Sequence, residues 1–350
     1  MYEASGQTRL RRLGALLAAI FLGMSLSVHS VWAQERTVIP LGQAVGIKLF
    51  ADGVLVVGLS ELDEDAGKSP AQQCGLKEGD LILCFNGEKI QSTEHFQSLL
   101  QENGETEASL TVQRGDEKKM VAITPTCCDD GGIRLGAWIR DSMAGIGTMT
   151  YYDPDTGAFG ALGHGITDVD TEKLMSLGSG SIMETTVKAV KKGQRGDPGE
   201  LKGDFSVQKD VGKVTVNCEG GIFGTVTEPE IFAGQPVPVA TPQQVQTGDA
   251  VIRCTVCGGE TKEYQVKITK IFGDEDSTRN LLLRITDPNL LEQTGGIVQG
   301  MSGSPILQNG KLIGAVTHVF VDDPTCGYAI FCENMYRYGG AGAESETPLK

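Results

Sequence analysis

The sequence predicts a mainly β protein with minor helix, built as two domains behind an N-terminal export segment. Three observations carry this. First, 47 glycines in 350 residues are well above the usual share of about 7%, and they fall between short β-branched and apolar runs, the pattern of turn-rich β structure. Second, the turn signals Asn86-Gly87 and Asn309-Gly310 each join two such runs into a hairpin. Third, the length suits two domains of ordinary size. The net charge of −15 excludes a general nucleic-acid role, which needs a basic surface.

Residues 1–36 read as a signal or membrane-anchor segment. Arg9, Arg11 and Arg12 precede an apolar run from Leu13 to about Val28, and Ala33 stands at a possible cleavage position. The positive-inside rule then places the rest of the chain outside the cytoplasm. Nine cysteines fit that address awkwardly, since an odd count leaves at least one unpaired. Cys254 and Cys257 form a CxxC, but zinc needs about four ligands and no second CxxC exists. No metal or other cofactor is expected.

Residues 37–125 read as one compact unit. Val45–Leu49 and Gly53–Gly58 are read as a hairpin, followed by a short helix begun by Ser69-Pro70-Ala71. A strand follows at Leu81–Phe85, then a helix opened by Ser92-Thr93-Glu94 with Phe96, Leu99 and Leu100 as its apolar stripe. Strands at Ala108–Arg114 and Lys119–Thr124 close the unit. The run Ala71-Gln72-Gln73-Cys74-Gly75-Leu76-Lys77-Glu78-Gly79-Asp80-Leu81-Ile82-Leu83 resembles the PDZ domains of bacterial proteases. That resemblance implies a groove where an extended peptide, or a protein C-terminus, adds to a sheet edge, with Val45, Gly46 and Ile47 as its lining.

Residues 126–338 form the second domain, opening with the linker-like Thr126–Gly132 and ending before a tail, 339–350, that reads as disordered. Its many short runs suggest a sandwich or barrel. Gly160-Ala161-Leu162-Gly163-His164 with Asp168 is echoed, at identical offsets, by Gly314-Ala315-Val316-Thr317-His318 with Asp322. Two related barrels would produce such an echo.

The strongest chemical signal is Gly300-Met301-Ser302-Gly303-Ser304-Pro305. A nucleophilic serine needs a tight turn that exposes its hydroxyl, and neighbouring N–H groups free to bind an oxyanion. Ser302 meets this between two glycines, whereas Ser304 is pushed toward extended geometry by Pro305. The turn leads into the hairpin Ser304–Gln308, Lys311–Val316, as in chymotrypsin-like proteases. By that resemblance the N–H groups of Gly300 and Ser302 form the oxyanion hole.

Only four histidines exist. His29 lies in the export segment and His95 in the first domain's helix. That leaves His164, in Gly163-His164-Gly165, as the base, with His318 as runner-up. Asp168, Asp170, Asp204, Asp249 and Asp287 are candidates for the orienting acid. Asp287 is preferred because it ends the apolar strand Leu281–Thr286, and a triad carboxylate must be partly buried.

Phe159–Asp168, Ile285-Thr286-Asp287-Pro288 and Gly295–Pro305 together look like the sporulation stage IV protein B peptidase family, as do the anchor and the PDZ domain. The resemblance implies a PDZ-like domain followed by a chymotrypsin-like double β-barrel, with His164, Asp287 and Ser302 as triad. It further implies a self-cleaving serine endopeptidase in the space between forespore and mother cell. Its partner there would be a membrane-bound regulator of an intramembrane protease, cut in the pathway that activates a late sigma factor. The rival reading is a non-catalytic PDZ scaffold protein.

Overall fold

The computed structural model describes residues 36–62, 67–273 and 277–344, without the side chains at 205–208 and 341–344. The expected anchor, including Ala33, lies outside the described residues. Among the described residues no helix is long and apolar enough to cross a membrane.

The chain begins with β1 (Thr37–Pro40) and β2 (Ala44–Leu59), then α1 (Pro70–Gln73), β3 (Leu81–Phe85), β4 (Glu88–Lys89) and α2 (Thr93–Asn103). Next come β5 (Ala108–Arg114), β6 (Glu117–Ile123), the short pair β7 (Thr126–Cys127) and β8 (Ile133–Arg134), and β9 (Ala137–Tyr152). β10 (Ala158–Ala161), β11 (Ser179–Lys191), β12 (Glu200–Cys218), β13 (Gly221–Val226) and β14 (Val237–Pro238) follow. The last third holds β15 (Gly248–Cys257), β16 (Glu260–Ile271), β17 (Leu281–Ile285), α3 (Pro288–Thr294), β18 (Pro305–Gln308), β19 (Lys311–Phe320), β20 (Asp323–Phe331) and α4 (Cys332–Glu344).

Two barrels result. In the first, β2 pairs with β9, and the ladder runs on through β10, β13, β12 and β11 back to β2, a ring of six strands. Leu49, Met149, Phe159, Ile182, Val211 and Ile222 fill it. The second barrel closes through β15, β16, β17, β20, β19 and β18 around Ile252, Val266, Leu283, Ile306, Ile313 and Ala329. Closure removes the exposed edges that open sheets must protect. β10 and β19, which carry the two echoed segments, belong one to each barrel.

The PDZ-like unit sits inside the first barrel's chain path rather than ahead of it. Its core of Val54, Val56, Leu76, Ile82, Phe96, Leu110 and Leu135 begins halfway along β2 and reaches Ile139 on β9. The expected hairpin at 45–58 is one strand of 16 residues. Its first half lies in the barrel, and its second half pairs with β3 on one side and with the start of β9 on the other. The unit is thus an insertion carried on two long strands that run through both bodies.

The local motifs explain themselves physically. Ser92 caps α2 by accepting from the His95 N–H. Asp80, ending the Lys77-Glu78-Gly79-Asp80 turn, is fully buried and takes a two-pronged ion pair from Arg114, at 2.6 Å to each oxygen. α4 continues through Gly339 to Glu344, where the sequence suggested a disordered tail. Gly339 packs against Phe223, and the helix's own Cys332 and Met335 are buried against the barrel.

Candidate active site

The cleft between the barrels encloses about 720 Å³ and is lined by Ile47, Ile146, Leu162, His164, Arg279, Gly300, Ser302 and His318, among others. Ser302 sits on the turn before β18. Gly300 and Gly303 hold φ of +97° and +96°, a region L side chains rarely adopt. A Cβ on Gly303 would also stand 2.0 Å from the Thr148 carbonyl oxygen, so only glycine lets the turn press against β9.

β9 anchors that turn at three points. Thr148 N–H donates to the Ser302 carbonyl at 3.0 Å, Thr148 Oγ1 donates to the Gly300 carbonyl at 2.7 Å, and Thr150 Oγ1 donates to the Gly303 carbonyl at 2.8 Å. From the other barrel, the Val316 carbonyl accepts from the Gly303 N–H at 2.7 Å. The Met301 N–H is turned inward onto Val298 O. The N–H groups of Gly300 and Ser302, on either side of it, make no hydrogen bond among the described residues. Two free donors flanking a satisfied one is the arrangement an oxyanion hole needs. Thr148 and Thr150 escaped the sequence reading. Their period-2 spacing marks them as sharing one face of a strand, but nothing local says what that face meets.

Both histidines reach the cleft, with ring centroids 5.1 Å apart. His164 follows a strained turn, since Leu162 has φ +67°, costly for a branched non-glycine residue. His164 Nδ1 lies 2.8 Å from the Gly165 carbonyl oxygen. A carbonyl only accepts, so Nδ1 carries the proton and Nε2 keeps its lone pair. Burial holds this imidazole below its ordinary pKa, against the opposing pull of the Gly165 carbonyl. His318, on β19, is pushed down to about 4 by burial, by neighbouring His164 and by Arg279. Its Nδ1 is buried with no hydrogen-bond partner among the described residues. The Ser302 hydroxyl donates to the Thr317 carbonyl at 2.7 Å.

Asp287 is not brought to His164. Its carboxylate caps α3, accepting from the N–H groups of Asn289 and Leu290 at 2.9 and 3.1 Å, and also from Gln265 N–H at 3.3 Å. It does not line the cleft. The sequence held the signal: an Asp followed by Pro at the first helical position is a helix start. Asp168, the alternative, is fully buried, bound by the N–H groups of Thr171 and Asp170 and paired with Arg140. Burial raises its pKa, but these donors outweigh that and hold it low. Among the described residues no carboxylate is hydrogen-bonded to His164 or His318.

Val45, Gly46 and Ile47 do not line a peptide groove. β9 pairs with them on one side, at Gly147, Ile146 and Gly145, and β11 on the other, at Glu184, Met183 and Ile182. Both backbone edges are spent, and the Val45 and Ile47 side chains are buried in the first barrel. Ile47 meets the catalytic cleft instead. Of the CxxC pair, Cys254 is buried and Cys257 exposed.

Two β-barrels with a serine turn between them, and a PDZ unit carried on the first, define a serine peptidase of chymotrypsin-like architecture. The model of the SpoIVB peptidase S55 family matches residues 131–336, and a PDZ domain model matches 65–114. The chain therefore belongs to the SpoIVB peptidase S55 family and is a serine peptidase, which sets aside the non-catalytic scaffold. It is 32% identical over 105 residues to the regulator of sigma-W protease RasP of Bacillus subtilis, covering 29% of this chain and 22% of that protein. It is 30% identical over 73 residues to the probable protease eep of Enterococcus faecalis, covering 21% and 17%. The chain thus spans about a fifth of the length of these curated relatives. Among solved structures, the Rv3671c protease of M. tuberculosis in its active form is 17% identical, covering 59% of this chain and 78% of that one, with a TM-score of 0.33. The HtrA-type protease AlgW with decapeptide is 9% identical, covering 87% and 66%, with a TM-score of 0.35. The fold stands on the strand ladders, not on these scores.

Proposed function

We propose that Ser302 is the nucleophile of an endopeptidase and His164 its base. The observation that carries this is the pair of free N–H groups at Gly300 and Ser302, beside an imidazole whose Nε2 is left bare by the Nδ1–H···O bond to Gly165. The Ser302 hydroxyl turns from the Thr317 carbonyl toward His164 Nε2 and gives up its proton. Its oxygen bonds to the scissile carbonyl carbon, and the carbonyl oxygen gathers negative charge between the two donors. His164 then protonates the leaving amine, and water, activated the same way, releases the acyl group from Ser302. The Gly165 carbonyl fixes the imidazole tautomer, the task a triad aspartate performs elsewhere. His318, whose ring lies 5.1 Å from that of His164, positions substrate.

On the family's ground, the substrate is a membrane-bound regulator of an intramembrane protease, cut in the signalling that activates a late sigma factor during sporulation. The enzyme acts outside the cytoplasm, between forespore and mother cell, and trims its own N-terminal anchor. A fluorophosphonate serine probe tests the chemistry: wild type is labelled at Ser302 and Ser302→Ala is not. Equal labelling of both would remove Ser302 from the mechanism. Trimming of purified Ser302→Ala to the same size as wild type would remove self-processing.

A further inference from the structure

β9 has an edge with no partner. From Ala137 to Gly147 it pairs with β2 on one side, and among the described residues no strand lies on the other. This edge starts in the PDZ unit and ends at the nucleophile, because the next residue, Thr148, donates its N–H to the Ser302 carbonyl. Long open edges are templates for another strand, and no strand among the described residues pairs with this one.

The ladder tells which groups face outward. Thr148 turns its N–H to Ser302 and its carbonyl to the Leu162 N–H, both away from β2. Pairing is one-to-one from Ala44↔Thr148 to Phe50↔Ser142. Antiparallel strands alternate inward and outward residues, so Ile146, Ala144 and Ser142 also turn their backbone groups outward. Past the bulge, Val56 spends its N–H and carbonyl on Asp80 and Gly79. Its partner Ile139 therefore faces outward too. Met143, Ala144, Gly145 and Ile146 line the catalytic cleft. At the other end α2 flanks the strand, with Thr93 N–H donating to Asp141 at 2.9 Å, and Leu99, Ile133 and Ile139 offering half-buried apolar surface.

Resting on the reading of Ser302 as nucleophile, we propose that the β9 edge is one continuous track for the substrate segment C-terminal to the scissile bond. That segment adds as an antiparallel strand, leaving the cleft at Ile146 and ending beside α2 near Ala137. The direction follows from β9 itself, which runs from the PDZ unit to Ser302, so an antiparallel partner runs from Ser302 to the PDZ unit. Its span is about nine residues, or ~30 Å at strand spacing. The PDZ groove and the cleft are then two ends of one binding site, and the PDZ end receives whatever lies about seven to ten residues past the cut.

The test uses the full chain, a library of unstructured synthetic peptides, and mass-spectrometric mapping of cuts. Sites closer than about five residues to a peptide's C-terminus should be spared, because the track would be unfilled. For one well-cut sequence, kcat/KM should rise at least about tenfold as the C-terminal side lengthens to about nine residues, then level off. Backbone N-methylation at alternate positions past the cut should slow cleavage in one parity only. Flat length dependence, or equal effects in both parities, overturns the track. Dependence on length N-terminal to the cut instead would mean a parallel strand, which also overturns it. Fluorophosphonate labelling of Ser302, run alongside, separates the two failures: labelled enzyme with flat length dependence condemns the track alone, while unlabelled enzyme condemns the catalytic reading beneath it.

Discussion

The two barrels have six strands each, and each lends a histidine to the cleft, yet they are put together differently. The second is continuous in sequence and closes on itself from β15 to β20. The first is interrupted between β2 and β9 by the PDZ unit, and β9 is also the strand that grips the Ser302 turn through Thr148 and Thr150. Their histidines differ in the same sense. His164 is held by the Gly165 carbonyl in one tautomer, while His318 leaves a buried nitrogen bare. On the proposed reading, the held ring is the one equipped to move a proton, and the first barrel orders the base while the second presents the serine to it.

The largest effect should come from breaking that asymmetry at the rings. His164→Ala should lower kcat by about as much as Ser302→Ala, on the order of 10⁴-fold or more, since such residues act as a unit. His318→Ala should mainly raise KM. Steady-state kinetics on variants checked by circular dichroism decides it, and a dead His318→Ala beside an active His164→Ala would exchange the roles.

Next in size is the buried Asp168 carboxylate. Asp168→Ala removes the acceptor of the Asp170 and Thr171 N–H groups and one of Arg140's two carboxylate partners, and should cost about 2 kcal/mol in denaturant unfolding. If catalysis in the remaining folded enzyme falls as far as in His164→Ala, Asp168 is more than structural.

The pH profile sharpens the comparison further. His164 is held below its ordinary value, so the acid limb of kcat/KM should fall below the usual imidazole value of about 6.5. Stability should follow His318. Unfolded chains protonate this ring below about pH 6.5, while the fold resists until about 4. The unfolded state therefore binds more protons across that window, and stability drops as pH falls through it. Between those limits, thermal melts of His318→Gln should lose stability less steeply with falling pH than those of wild type. An unchanged slope would mean other groups carry the loss.

The smallest expected effect is at Asp287. As a helix cap, Asp287→Ala should cost about 1 kcal/mol of stability and leave kcat of the folded enzyme nearly unchanged. A collapse of kcat without loss of stability would restore it as the orienting acid.

What could be read in the sequence was local. The serine turn needs adjacent glycines, the hairpin after it needs Asn309-Gly310, and the cap of α2 needs Ser92; all are short-range chemistry. The echo around His164 and His318 does not mark equivalent strands, since β10 is third in chain order in its barrel and β19 fifth in the other. The sheet edges at Val45–Ile47 were not legible, because their partners on β9 and β11 come far later in the chain, at Gly145–Gly147 and Ile182–Glu184, and which edge stays open depends on that distant pairing. Asp287 failed for another reason. It was read as a strand end alone, whereas Pro288 at the first helical position makes it a helix cap. The left-handed backbone at Leu162 leaves no mark in composition, since a branched residue there goes against preference.

The insertion on β2 and β9 bears on how this protein can be taken apart. A module joined by a flexible linker can be deleted, swapped or transplanted without harm to its neighbour. Here a cut that removes the whole PDZ unit severs two strands that run unbroken into a closed barrel, one of which holds the Ser302 turn in place. Modular exchange, common where domains follow one another like beads, is closed to this architecture. Changes to the PDZ unit would have to arise by substitution within it, with each variant answering to the enzyme's own fold.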